Sequence, residues 1–224
     1  MLASPFLVEV MIMRKISKNE LIDFLSKNQS KPIGKHEYLS VLVPFVEKDG
    51  ELYILYEERS KKMKMQPGEV CFPGGHMEIG ESPQNCAIRE TSEELGIQKN
   101  NIKIISQGNT IYGYSDYILY TFFGVIQYED YLSAKIEKAE VEKIFLISLK
   151  TLIETEPKKY QALITAEPEK NFPYEVVGAK HMYKWKEGRW HIPIYQVDDE
   201  VIWGMTGKIT ENLIIMLKNA FQEL

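Results

Sequence analysis

Residues 82–97 constrain this chain most, because two end signals and one internal spacing agree on a short helix with two unlike faces. Ser82-Pro83 is a helix start: serine can cap the first free amides, and proline loses nothing at a position whose N–H has no partner. Gly96 directly after Leu95 is the matching stop, since glycine enters the left-handed conformation without steric cost. The spacing therefore predicts a helix over 83–95. At about 100° per residue, Ala87, Ile88, Thr91 and Leu95 share one arc, and Glu90, Glu93 and Glu94 share another. The first arc packs on a sheet and the second presents three carboxylates. Most acidic stripes are solvated faces, and like charges at this spacing cost only about 0.2–0.5 kcal/mol per pair. Two features set this one apart. Glu90 and Glu94 lie one turn apart with Glu93 between them, so their oxygens can converge on a hard cation. A Gly74-Gly75 turn and a further carboxylate, Glu81, precede the helix.

The remaining segments alternate between β and α patterns. Ser17-Lys18-Asn19-Glu20 fits a capping box, and Leu21, Ile22, Phe24 and Leu25 follow at helical spacing, which predicts a short helix over 18–27. Pro32 and Gly34 mark a linker at 31–35. Runs at 37–47 and 51–58 read as strands joined by a Lys48-Asp49-Gly50 turn. Residues 59–68 form a cationic loop ending in Pro67-Gly68, and Val70-Cys71-Phe72 is a short strand. Further strands are predicted at 102–108, 118–127, 143–147, 191–196 and 201–205, with a helix or turn at 148–155 and an irregular, aromatic-rich stretch at 156–190. Ile209, Leu213, Met216, Leu217, Ala220 and Phe221 recur with the period of a terminal amphipathic helix over 208–224. No boundary splits the chain into two globular halves: residues 1–35 read as an N-terminal arm with a short helix, and 36–224 as the main domain.

Composition narrows the class of partner. The 224 residues suffice for one sizeable core, and 44% hydrophobic with 26% charged content is ordinary for a globular α/β domain. A net charge of −5 argues against a nucleic-acid surface, which carries a basic excess, but leaves an anionic substrate open if a divalent cation screens the site. Cys71 and Cys86 fall in a strand and a helix with no Cys/His ladder around them, so a reduced, cytoplasmic compartment is expected. Residues 1–13 are apolar, yet Glu9 interrupts them and neither a preceding positive charge nor a cleavage site accompanies them; they read as an arm or strand. No run approaches the roughly 18 apolar residues of a membrane span. His36, His76, His181 and His191 are scattered and read as structural or surface residues, and no Ser-His-Asp pattern outranks the acidic helix.

Gly75, Glu81, Arg89, Glu90, Glu93, Glu94, Gly96 and Ile97 together resemble the Nudix box. That box is a glycine, five residues, Glu, seven residues, Arg-Glu, an aliphatic, any residue, Glu-Glu, any residue, glycine and an aliphatic. Thr91 is the one departure, standing where the family prefers an aliphatic; it lies on the packing arc and leaves the acidic face intact. The resemblance implies an α/β/α sandwich with a mixed β-sheet between helices, and cleavage of a nucleoside diphosphate linked to a further group. It implies that Glu90 and Glu94 bind Mg²⁺ or Mn²⁺, with Glu93 joining or assisting, and that Arg89 and Glu81 form a supporting ion pair. Glu140 occupies the loop before a strand where many Nudix enzymes carry an additional metal-binding or base carboxylate; alone, it reads equally as a surface residue. The chemistry is coherent, because a diphosphate repels nucleophiles and a divalent ion both screens that charge and acidifies a bound water.

Upstream, Leu55, Arg59, Ser60, Gly68, Phe72, Pro73, Gly74 and Gly75 resemble the signature of the coenzyme A diphosphatase branch, with its spacings kept. Tyr56 replaces its second leucine, Glu57 its threonine and Lys64 its second arginine. Lys64 keeps the charge and loses the two-pronged geometry of arginine toward a phosphate. Val201 to Thr206 resembles the strand of the same branch that precedes the last helix, with Trp203 expected in the core. The resemblance covers roughly residues 36–220 and implies hydrolysis of coenzyme A or its thioesters to 3′,5′-ADP and 4′-phosphopantetheine, with Arg59, Lys64, Gly74 and Gly75 meeting the substrate. The partner is then a small molecule, with neither nucleic acid nor membrane required and an oligomer possible. The imperfect upstream match keeps ADP-ribose or dinucleotide cleavage as a rival, and an inactive ligand-sensing Nudix protein as another.

Overall fold

Strand β1 (Glu37–Lys48) is the spine of the main domain, because its alternate residues belong to two different cores. Val43 faces one and Leu42 and Val46 face the other, as the two-residue period of a strand requires. In this computed structural model, which describes residues 15–178 and 183–221, β1 pairs antiparallel with β2 (Glu51–Arg59) and parallel with the strand at Tyr117–Val125. The expected arm at 1–13 and His181 lie outside the described residues. The chain divides into two units at Lys35/His36. In the first, helix α1 (Lys18–Ser26) carries a complete capping box: Ser17 Oγ accepts from the Glu20 amide at 3.2 Å, and Glu20 Oε2 accepts from the Ser17 amide at 2.9 Å.

In the second unit follow β3 (Val70–Cys71), β4 (Gly74–His76), helix α2 (Pro83–Leu95), β5 (Lys103–Gln107), β6 (Ile111–Tyr112), β7 (Tyr117–Val125), helix α3 (Tyr128–Leu132), β8 (Val141–Ser148) and helix α4 (Leu149–Glu154). Strands β9 (Lys158–Ile164), β10 (Gly188–Val197) and β11 (Glu200–Ile202) and helix α5 (Gly204–Ala220) complete it. The main sheet runs β3-β2-β1-β7-β5, with β4 on β1, β6 on β7 and β8 on β2; β11-β10-β9 form a second, smaller sheet. Because only the β1–β7 pair among the described ladders is parallel, the main sheet is mixed. One face packs Leu42, Leu55 and Phe122 against Ala87 and Leu95 of α2. The other packs Val43, Ile54 and Leu119 against Leu152 of α4 and Ile209 and Leu213 of α5. This is the α/β/α arrangement that the resemblance implied. Each such side chain removed from water contributes roughly 1.5–3 kcal/mol. Tyr56 ties the second layer to the sheet: it is fully buried, stacks on Phe72 at 4.8 Å and shares a 3.0 Å hydrogen bond with Thr210 of α5.

Three local expectations need correction, and one element, the five-residue helix α3, carries no signal in the sequence. The stretch 156–190, expected to be irregular, contains β9 and the start of β10, paired from Ile194↔Lys158 to Gly188↔Ile164. β9 is mostly exposed on both sides, so it carries no apolar alternation to read. Helix α3 is too short to establish a period. Helix α5 begins at Gly204 rather than 208: Gly207 lies inside it because a Cβ there would sit 2.6 Å from the Pro193 carbonyl oxygen. Trp203, expected in the core, is 40% exposed. Among the described residues no helix is long and apolar enough to cross a membrane, and Cys71 and Cys86 are free.

Candidate active site

Helix α2 has the two ends its sequence signals. Ser82 Oγ accepts from the Asn85 amide at 3.2 Å, Pro83 follows, and Gly96 stops the helix at φ 64°. Cys86, Ala87, Thr91, Glu94 and Leu95 are buried, and Thr91 Oγ1 donates back to the Ala87 carbonyl at 2.6 Å. The polar Thr91 is thereby satisfied within its own helix. The acidic face is graded rather than uniformly presented: Glu93 is exposed, Glu90 half-buried, and Glu94 only 4% exposed.

A single guanidinium organises the outer part of this face. Arg89 Nε and Nη2 each donate at 2.9 Å to the two oxygens of Glu81, a two-pronged pair. Its Nη1 reaches Glu90 Oε1 at 2.8 Å and Glu93 Oε2 at 3.1 Å, while Nη2 also reaches the His76 carbonyl at 3.1 Å. Arg89 holds the Glu81 carboxyl down to about 2, and Glu81 in turn raises the Arg89 guanidinium further. Glu81 Oε2 also accepts from the Glu78 amide at 3.0 Å, which fixes the turn before α2.

The inner part is built by the sheet. Gly74 and Gly75 pair with Val41 and Ser40 of β1, and the Gly74 amide donates to Glu94 Oε2 at 2.9 Å. A Cβ on Gly75 would lie 2.6 Å from the Glu90 carboxylate, so the bare backbone is what lets that carboxylate approach. Glu57 of β2 lies under the same helix, because it shares the parity of Leu55, which faces α2. Only 1% exposed, it takes a hydrogen bond from Cys71 Sγ at 3.2 Å on Oε1, and its Oε2 has no partner. Arg59 ends β2 opposite Val141, and the Ser60 amide donates to the Glu140 carbonyl at 2.7 Å, which brings Glu140 to this end of the strand. Glu140 itself is exposed, as is Lys64 in the following loop. The Nε of Arg59 is buried and has no partner.

In the sequence Glu57 stands out only as a departure from a threonine. The signal that marks it is a charged residue at an inward-facing position of an otherwise apolar strand. Burial pushes the Glu94 carboxyl up, Glu57 and Glu90 add to this, and the Gly74 amide opposes it. Burial likewise raises Glu57, offset by the Cys71 hydrogen bond and Arg59 and reinforced by Glu140 and Glu90. Glu90 is raised by burial against the pull of Arg89. Crowded, desolvated carboxylates with hard oxygen donors and an unpartnered buried oxygen suit a divalent cation such as Mg²⁺ or Mn²⁺. Among the described residues no three acidic, histidine or cysteine groups already converge as a metal cluster, the Arg89 guanidinium being drawn against Glu90 and Glu93 instead.

On the α5 side of the sheet lies a cavity of about 440 Å³, lined by Asn109, Ile111, Thr121, Trp190, Lys208 and Asn212 among others. Lys208 Nζ stands 3.2 Å from the centre of the Trp190 ring, and its ammonium is held below its ordinary range by burial. Thr121, whose buried hydroxyl has no partner, is the β-ladder neighbour of Val41, which pairs with Gly74.

The NUDIX domain pattern matches residues 36–166. The chain is 32% identical to Nudix hydrolase 3 of Caenorhabditis elegans, over 67% of its own length and 68% of that protein. It is 32% identical to the peroxisomal coenzyme A diphosphatase NUDT7 of Mus musculus over 49% of the chain and 46% of that protein. It is 24% identical to the mitochondrial coenzyme A diphosphatase NUDT8 of Mus musculus over 82% and 80%. In fold it is similar to a MutT/nudix family protein from Enterococcus faecalis, with a TM-score of 0.51 at 15% identity over 98% of this chain and 76% of that one. The capped acidic helix, the glycine step that receives its carboxylates and this extended likeness have one explanation: the chain belongs to the Nudix family of hydrolases, which act on diphosphates.

Proposed function

We propose that this chain hydrolyses the diphosphate of coenzyme A or its thioesters to 3′,5′-ADP and 4′-phosphopantetheine, using Mg²⁺ or Mn²⁺. The observation that carries the reading is the position of Arg59. The upstream signature that resembles the diphosphatase branch ends β2 beside Glu140, one strand from the glycine step that receives Glu90 and Glu94. The names of the two mouse relatives support the same substrate.

In this reading Glu90 and Glu94 hold the cation and Glu93, the most exposed of the three, positions or deprotonates water. Glu140 adds a carboxylate from the β8 side. When bound, the cation screens the diphosphate and supplies a water acidic enough to be used near neutral pH. Arg89 and Glu81 brace the turn before α2 against the helix, and the Arg89 contacts to Glu90 and Glu93 give way where those carboxylates meet the cation. Arg59 and Lys64 contact substrate phosphate, and Gly74 and Gly75 let the diphosphate approach the backbone closely.

Cleavage of ADP-ribose or a dinucleotide is the reading favoured by Tyr56, Glu57 and Lys64, the three departures from the signature. Steady-state assays of coenzyme A, ADP-ribose, NADH and nucleoside triphosphates with each metal decide between them. Coenzyme A should show the highest kcat/KM and give the two named products. Faster turnover of any other substrate overturns the assignment, and no metal-dependent turnover on the whole set leaves only a ligand-sensing role.

A further inference from the structure

Glu57 is the buried acid of this site that the box does not supply. Strand β2 sends Ile54 and Tyr56 to the α5 core and Leu55 to the α2 core, so Glu57 points toward α2. It is 1% exposed, Oε1 is satisfied by Cys71 Sγ at 3.2 Å, and Oε2 is fully buried without a partner. The charged groups that act on it are Glu94, Glu90 and Glu140, all acidic, and one cation, Arg59. No ion pair joins Arg59 to it among the described residues, although the Arg59 Nε is itself buried and unpartnered. A buried polar atom without a partner is costly, and a carboxylate is the costliest of the common ones. The position does not demand an acid for packing, since the branch signature carries a neutral threonine there.

We propose that Glu57 is a donor to the divalent cation of this site, its Oε2 completing from the sheet the set that Glu90 and Glu94 supply from the helix. The inference rests on the metal reading given above. It explains why Oε2 has no partner within the protein and why the unpartnered oxygen lies on the α2 side of β2. It also assigns Cys71 a role: the thiol donates to Oε1 and so turns the carboxylate, as an outer hydrogen bond orients a metal-binding carboxylate. The distinct chemistry of the chain is then a cation gripped from both the helix and the sheet.

The test is Mn²⁺ binding to the metal-stripped full chain, followed by calorimetry and by the electron paramagnetic resonance spectrum of bound Mn²⁺. Glu57→Gln preserves shape and an acceptor for Cys71; it should weaken Mn²⁺ binding by about tenfold or more and change the spectrum, with the melting temperature of the metal-free protein unchanged or higher. Glu57→Thr, which installs the residue of the branch signature, should do the same and serves if the glutamine variant fails to fold. Wild-type affinity and spectrum in a folded variant overturn the proposal and make Glu57 a neutral packing residue. Glu94→Gln is the control. If it abolishes Mn²⁺ binding while Glu57→Gln does not, only the Glu57 assignment falls; if the wild type binds no Mn²⁺, the metal reading falls with it.

Discussion

Gly75 and Glu90 occupy each other's space: a methyl group on the glycine would lie 2.6 Å from the carboxylate carbon of the glutamate. The obstruction is the far end of a flexible side chain, so Gly75→Ala should fold and displace Glu90 rather than the backbone. A misplacement on the order of 1 Å at a reacting centre costs about 100-fold in rate, and kcat/KM should fall by that order with little change in melting temperature. Gly74→Ala should behave in the opposite way. Its φ of 153° and the Ser40 carbonyl and Val41 Cα against it are backbone constraints, so the loss appears in folding stability, on the order of 1–3 kcal/mol from conformation alone. Kinetics and thermal unfolding of the two variants side by side check the contrast.

Glu94→Gln should separate charge from shape. The carboxyl is 4% exposed and receives the Gly74 amide on one oxygen, a bond that the amide oxygen of glutamine can also accept. The fold should therefore be retained, with an unchanged circular dichroism spectrum and a melting temperature no lower than wild type in the absence of metal. Turnover should fall by about 10³-fold or more, equivalent to roughly 4 kcal/mol of lost transition-state stabilisation. Near-normal Mg²⁺-dependent activity would remove Glu94 from the metal face.

The contrast between Glu90, Glu93 and Glu94 also marks where the sequence stops being readable. Caps and spacing locate α2 and put the three acids on one arc, because both are properties of residues close in the chain. Depth is not local. Glu94 is buried and Glu93 exposed because β4 brings the Gly74 amide under the first, a contact joining residues 20 apart, while the second meets Arg89 of its own helix. Glu57 needed the same long-range information: the parity of β2 was legible, but its placement under α2 came only with the β1–β2 and β1–β4 pairings. Strand β9 was missed for a different reason, since an edge strand exposed on both faces has no hydrophobic period to display.

Arg59 and Lys64 should differ in what they contribute. Arg59 ends a strand and is held by backbone bonds to Glu69 and Gly68, whereas Lys64 is exposed in the loop between them. A charge-assisted hydrogen bond contributes about 1.5–3 kcal/mol, so Arg59→Ala should lower kcat/KM for coenzyme A by about 10- to 100-fold. Lys64→Arg restores two-pronged phosphate geometry and should lower KM by a few-fold, roughly the worth of one better-aligned bond. The comparison of coenzyme A with dephospho-coenzyme A locates each contact. If Lys64→Arg improves both substrates equally, the residue does not meet the 3′-phosphate.

Metal and pH should be coupled, with a sign that follows from burial. Glu94 and Glu57 have their carboxyl groups raised above the ordinary value of 4.5, in both cases first through desolvation. Below 4.5 each is protonated in the folded and the unfolded chain alike and pH has no effect through them. Above it the unfolded chain releases protons that the metal-free native state retains, so the native state binds more protons and its stability falls as pH rises. This is the reverse of the usual salt-bridged carboxylate. A divalent cation competes with those protons, so its binding releases them and strengthens with pH. In chelator the contribution of these two groups to stability should decline from pH of about 4.5 upward, until about 7 for Glu57 and about 10 for Glu94, and the rise in melting temperature on adding Mn²⁺ should grow over the same interval. Glu94→Gln removes most of that dependence by removing the proton. An Mn²⁺-induced shift that is independent of pH would mean that the buried carboxylates are ionised before the metal arrives.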